Sequence, residues 1–283
     1  MKKNIALLLG MVLGFGFVSC SSDDDEETPN TKGNVDGKVL AEMTVTRYDW
    51  KDGKRSSEGT LYQVFKYNEK GDCVSKDDYK SGYRTEVIYD DKGRETEGII
   101  YPLDDLKTVF IRTIYERNDV DTGEVVSEYV YNGYNKLVTK YIREYDHDGK
   151  PTKCTDISDV DNYHGTVLTY SYSGNTETRV YSDLNDGSFD RKSIFERDKY
   201  GNITKETHIT DSYTNIGEYR YDYDSNGRLL KVTGPVCNSV NYGFTEYTYN
   251  ADATVKKEHC VYKTSSFSEE EYDLEYTYTY RNE

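Results

Sequence analysis

From about residue 43 to residue 280, apolar and polar positions alternate with a period of two. Tyr219, Tyr221 and Tyr223 fall on one face of an extended segment, and Arg220, Asp222 and Asp224 fall on the other. Tyr247-Thr248-Tyr249 and Tyr276-Thr277-Tyr278-Thr279-Tyr280 repeat the pattern. Period two in aromatic and β-branched residues predicts strands. After residue 20 no apolar 3.6-residue period is long enough to predict a substantial helix.

The strands are punctuated by one recurring turn. Asp90-Asp91-Lys92-Gly93, Asp146-His147-Asp148-Gly149, Asp198-Lys199-Tyr200-Gly201 and Asp224-Ser225-Asn226-Gly227 share it, and Asn68 replaces the aspartate in Asn68-Glu69-Lys70-Gly71. The aspartate accepts a backbone N–H two residues on, and the glycine takes the positive φ that closes a three-residue hairpin with a bulge. Asn250-Ala251-Asp252-Ala253 puts alanine at the left-handed position, at a cost of roughly 1 kcal/mol. Aligned turn residues at 53, 71, 93, 123, 149, 174, 201, 227 and 253 settle to a spacing near 26, which marks a repeat array. About nine repeated β-hairpins, or about eighteen strands, predict an all-β fold in one wide antiparallel sheet. A sheet that wide curls, splits or closes, because strands twist. Lys140-Tyr141-Ile142-Arg143-Glu144-Tyr145 carries charge on both faces, which argues against a membrane-embedded wall.

The first residues set the compartment. Lys2 and Lys3 precede an apolar run from Ile5 to Val18, the length of a signal-peptide core rather than of a membrane span. Val18-Ser19-Cys20 is similar to a bacterial lipobox, which implies a signal peptide over 1–19 and lipidation of Cys20. SSDDDEE at 21–27 resembles the surface-export signal of Bacteroidetes lipoproteins. Residues 20–36 are then a lipidated acidic linker, and 37–283 form the hairpin-repeat domain. Residues 1–19 hold two of the 36 basic residues and none of the 52 acids, so the mature chain carries a net charge of −18. Such a surface repels nucleic acid and anionic lipid, leaving the lipid anchor as its only membrane attachment. Thirty tyrosines stand against one tryptophan and three methionines, which suits a sheet face better than a thick aliphatic core.

Residues 217–233, GEYRYDYDSNGRLLKVT, resemble the YD repeat of Rhs and toxin-shell proteins, through Gly217, Tyr221, Tyr223, Asp224, Gly227, Arg228, Leu229 and Thr233. The match is fair at 83–98 and 195–210 and elsewhere survives as a hairpin rhythm. The whole is also similar to surface lipoproteins of gut Bacteroidetes with a YD-like, porin-like sheet. That resemblance implies a curled sheet or soluble porin-like barrel in the outer membrane's lipid-anchored, outward-facing class, and no activity.

Catalytic chemistry is sparsely signalled. The four histidines, His147, His164, His208 and His259, form no metal or nucleophile motif, and no phosphate loop is present. Neither a catalytic set, a metal site nor a cofactor is expected, and the protein reads as a non-enzyme. Binding is better supported. In an up-and-down sheet the short turns share one edge and the long connections the other. Aromatics recur in those connections, at Tyr83, Tyr134, Tyr163, Phe189, Tyr213, Tyr242 and Phe267. Tyr134, Tyr163, Tyr213 and Tyr242 are candidates for a glycan- or protein-binding rim, with Trp50 an exposed ring among the opposite turns. The alternative is that the rings stack on neighbouring repeats and shield strand ends. A purely structural or assembly scaffold also fits, and a glycan-degrading enzyme fits less well. Four cysteines remain beyond the anchor, and Cys237 and Cys260, in adjacent units, are the pair expected to form a disulfide.

Overall fold

One alternating hairpin has an apolar face that it cannot cover by itself, so neighbouring hairpins must curl round to cover it. The computed structural model describes residues 34–35, 38–117, 124–160, 164–234, 240–264 and 269–281. The fold is all-β, with twenty-one strands and no helix among the described residues. Pairing is antiparallel throughout. The strand Lys38–Lys51 pairs with Thr60–Tyr67 on one side and with the last strand, Glu269–Tyr280, on the other. That second pairing carries the sheet round onto itself.

Pairing is interrupted between Thr214–Glu218 and Arg220–Tyr223. The first piece pairs with Ile203–Ile209 and the second with Leu229–Gly234, while Tyr219 donates its N–H to the Thr204 carbonyl at 2.9 Å. The two pieces are one bent strand. Asn34–Val35 and Lys54–Arg55 are two-residue caps on Lys38–Lys51. Apart from these caps, eighteen staves make one antiparallel sheet that is nearly closed into a barrel.

The expected nine pairs are present, but one has a different origin. Eight are pairs of consecutive strands, seven of them joined by described turns that share one edge. The ninth is the pairing of the first and last long strands. The Gly53 turn, counted with the others in the sequence, sits at the opposite edge, because Lys38–Lys51 runs there before turning into Lys54–Arg55.

The repeated turns are held by their own head residue. Oδ1 of Asp90 accepts the N–H groups of Lys92 (2.9 Å) and Arg94 (2.8 Å), and Oδ1 of Asp146, Asp198 and Asp224 does the same two and four residues on. Gly93, Gly149, Gly201 and Gly227 take φ of 75° to 83°, and Ala253 is held at 66° as the sequence requires. A tyrosine on each of several strands has its own task, directly beside the turn at Tyr89, Tyr145 and Tyr249 and farther from one at Tyr221 and Tyr278. Tyr89, Tyr145, Tyr221, Tyr249 and Tyr278 donate their hydroxyls to the carbonyls of Cys73, Val125, Ile203, Leu229 and Val255 at 2.6–2.8 Å. Each acceptor lies two residues past the turn residue of a preceding repeat. In the units headed by Asp90, Asp146 and Asp224 a tyrosine and the aspartate therefore do two jobs: one locks a hairpin to its predecessor and the other closes the turn.

The two faces of the sheet differ. On one, Ile100, Ile111, Val130, Tyr141 and Cys154 form a buried cluster flanked by Tyr83, Leu168 and Tyr170. Leu40, Tyr67 and Cys73 form a second cluster near the closing pair. On the other face, cross-strand ion pairs run along the sheet, including Arg84–Asp77 (2.5 Å), Arg112–Glu97 (2.6 Å), Lys153–Glu144 (3.0 Å) and Lys231–Glu246 (2.7 Å). Ile88, Ile216 and Leu230 are exposed there. The tyrosine face is buried by curvature, and the ionic face meets solvent.

Candidate functional site

The edge opposite the repeated turns joins one hairpin to the next through 79–82, 103–110, 133–136, 184–188 and 210–213. Rings stand out along it. Tyr134 is 94% exposed, Tyr213 60% and Phe189 43%, with Tyr79 and Leu106 also open to solvent. Tyr134 was expected in a long connection, but its loop is a tight turn of the same design as those on the other edge. The Asn132 side chain accepts the N–H groups of Tyr134 (3.0 Å) and Lys136 (3.1 Å), and Asn135 supplies the left-handed residue at φ 57°. Asparagine tolerates that conformation, so the turn needs no glycine there and was missed. At 210–213 the Thr210 N–H reaches the Tyr213 carbonyl at 3.0 Å and leaves the ring outside.

The candidate rings do not all behave alike. Tyr83 lies 5.2 Å from Phe110, centroid to centroid, so here the ring does stack on a neighbouring connection. Tyr163 and Phe267 lie outside the described residues, and Tyr242 sits on Val240–Tyr249 with its side chain outside them. Cys237 is likewise outside the described residues, so its pairing with Cys260 stays an expectation. Cys260 itself is a buried thiol, 2% exposed, whose acidity burial weakens.

Trp50 requires correction. It lies on the aromatic edge rather than among the opposite turns, and its indole is packed down instead of exposed. The hairpin 49–56 folds over the ionic face, bringing Trp50 edge-on to His259 at 5.7 Å and Arg55 over the Tyr48 ring at 3.8 Å. Beneath it, Asp273 is 1% exposed and gathers His259 Nδ1 (2.8 Å), Arg55 Nε (3.1 Å) and Lys257 Nζ (3.7 Å). A carboxylate on histidine Nδ1 is the orienting half of a hydrolytic triad. The other nitrogen faces Glu271 at 3.7 Å, and among the described residues no hydroxyl or thiol bonds to it. The cluster can pin the hairpin but has no nucleophile to activate. Alternation places His259 on a face, but the strand pairing that supplies Asp273 could not be read from sequence.

Two further features are built from turn residues. Asp146, His147 and Asp148 bring three ligand atoms together, but Asp146 Oδ1 is already occupied by two backbone N–H groups. A cleft of about 410 Å³ lies between the turns at 174–176 and 197–201. Its lining includes Glu177, which is paired with Arg179 (2.5 Å) and Arg197 (3.2 Å).

The fold thus defines a wide antiparallel sheet curled nearly to closure, with ionic residues outside and tyrosines within. No protein-family model matches the chain, and no curated protein is similar to it in sequence. Among solved structures it is similar to a porin-like protein from Bacteroides uniformis, at 11% identity and TM-score 0.44, over 85% of this chain and 98% of that one. A porin-like protein from Bacteroides vulgatus is similar at 11% identity and TM-score 0.35, over 83% and 97%. The Tc holotoxin pore of Photorhabdus luminescens is similar at 12% identity and TM-score 0.34, over 80% of this chain but only 15% of that one. Likeness at this level carries no argument about function.

Proposed function

We propose that the protein is a lipid-anchored, outward-facing outer-membrane protein whose aromatic edge binds glycan without catalysing a reaction. The observation that carries the reading is the pair of rings, Tyr134 and Tyr213, that stand in solvent on one edge with no hydrogen-bond partner among the described residues. Exposed aromatic faces offer stacking surfaces for sugar rings, and nearby acids offer acceptors to hydroxyls. The Cys20 motif and the acidic run after it support the anchor and its export. The ionic outer face supports a sheet held outside the bilayer, since a membrane wall needs an apolar outer band.

A glycan array probed with the folded domain tests this reading directly. Binding that changes little with salt, and that falls when Tyr134 and Tyr213 become alanine, is the expected result. No glycan bound, or equal binding by the double variant, overturns it. The runner-up, an assembly scaffold recruiting a cationic protein through the −18 surface, predicts binding that is lost as ionic strength rises.

A further inference from the structure

Carboxylates recur on the tyrosine face, and each in turn meets a donor. Glu128 takes Arg143 Nη2 at 2.7 Å, and Glu177 lies between Arg179 and Arg197. Glu206 accepts the Tyr219 hydroxyl at 2.8 Å, Glu258 accepts the Tyr276 hydroxyl at 2.5 Å, and Glu95 faces the Arg117 charge. Asp156, on Pro151–Asp159, breaks the series. Its Oδ1 is buried and bonded to nothing among the described residues. Arg143, the nearest strand neighbour's cation, leans away onto Glu128. Burying a carboxylate oxygen without a partner is costly, so this half-buried position favours either the protonated acid or a cation beside it. Burial and then the Glu128 charge push its pKa up to about 6.

The surroundings select what could fill it. Asp156 is the register partner of Tyr141 on one side and of Thr166 on the other, and neither hydroxyl has a hydrogen-bond partner among the described residues. A hard dication wants six or more oxygens, which one carboxylate and two hydroxyls do not supply. An alkylammonium has three N–H donors for three such acceptors and an apolar stem for the Tyr141 ring. We infer that Asp156, Tyr141 and Thr166 form a binding site for a primary ammonium group carried on an apolar chain. The site lies three residues from the strand end at the aromatic edge and does not depend on the glycan reading.

Titrating the folded domain with n-butylammonium chloride, followed by calorimetry, tests the site, with n-butanol and sodium chloride as controls. At about pH 8 the amine should bind saturably, and Asp156→Asn should weaken it by at least about tenfold. At about pH 5, where the carboxyl is mostly protonated, the wild type should also lose about tenfold. Glu258→Gln, whose acid is already satisfied, should bind as the wild type does. Asp156→Asn should also melt higher than the wild type above pH 6 and equally below pH 4. A carboxyl whose folded pKa is raised destabilises the fold only once ionised, so that shift shows the variant is folded. No saturable amine binding at about pH 8, equal binding by Asp156→Asn, or equal binding of n-butanol overturns the site.

Discussion

The two edges of the sheet use their side chains in opposite ways. On the turn edge, Asp90, Asp146, Asp198 and Asp224 are each bonded into the turn they head, and the neighbouring tyrosines reach to the carbonyls of an earlier repeat. On the aromatic edge, the side chains of Tyr134 and Tyr213 bond to nothing among the described residues. The contrast separates residues that the repeat needs to close from residues that the fold could lose. A repeat array conserves the stacking of units through the first kind and is free to vary the second.

The hairpin 49–56 is the exception on the aromatic edge, and breaking it should give the largest loss of stability. Asp273 holds Arg55, Lys257 and His259 while 1% exposed, so Asp273→Ala removes the shared acceptor under Trp50 and leaves Arg55 only its Glu275 partner. Removing one partner of such a buried set costs about 3–5 kcal/mol. Urea unfolding should show it as a lower midpoint. A loss of less than about 1 kcal/mol would mean that Asp273 is not what pins the hairpin.

The turn edge should respond next. Asp198 accepts two backbone N–H groups through Oδ1 and the Tyr223 hydroxyl through Oδ2 at 2.6 Å, tying two repeats together. Asp198→Ala should cost about 2 kcal/mol, and Asp198→Asn clearly less, because the amide oxygen can still accept the turn's N–H groups. Equal losses for the two would place the stabilisation in charge rather than in the turn bonds. Ala253→Gly should act the other way. It relieves a left-handed alanine at φ 66° and should raise stability by about 1 kcal/mol, read as a higher melting temperature.

Much of this was legible because the informative contacts are local. The Asp-x-x-Gly turns span five residues, so residue type alone fixes both the acceptor and the positive φ, including the strained Ala253. Strand count followed from turn count. What the sequence could not convey is which turns share an edge, since Gly53 looks like the other turn glycines until the strand before it is paired at both sides. Tyr134 was placed on its edge correctly but in the wrong kind of loop, because Asn135 stands where a glycine was sought. The hydroxyl locks of Tyr89 and Tyr145, the Asp273 cluster and the orphaned Asp156 all depend on partners in other strands. Alternation fixes the face of a residue and says nothing about which acids on that face lack a cation.

The smallest expected effect on stability is also the one that bears most on function. Tyr134 and Tyr213 lie on connections separated by six staves, roughly 30 Å along the curl at the spacing of strands in a sheet. Both rings stand largely in solvent, so the double change to alanine should alter unfolding free energy by no more than about 0.5 kcal/mol. Tyr83, packed 5.2 Å from Phe110 on the same edge, supplies the internal contrast. Its change to alanine removes an aromatic contact beside a buried cluster and should cost about 1–2 kcal/mol. If the edge is a binding rim, the Tyr134/Tyr213 variant keeps its melting curve and loses ligand, while the Tyr83 variant loses stability first. A melting temperature that falls as far for Tyr134/Tyr213 as for Tyr83 would assign all these rings to packing, and the two edges would then differ only in the kind of contact they make.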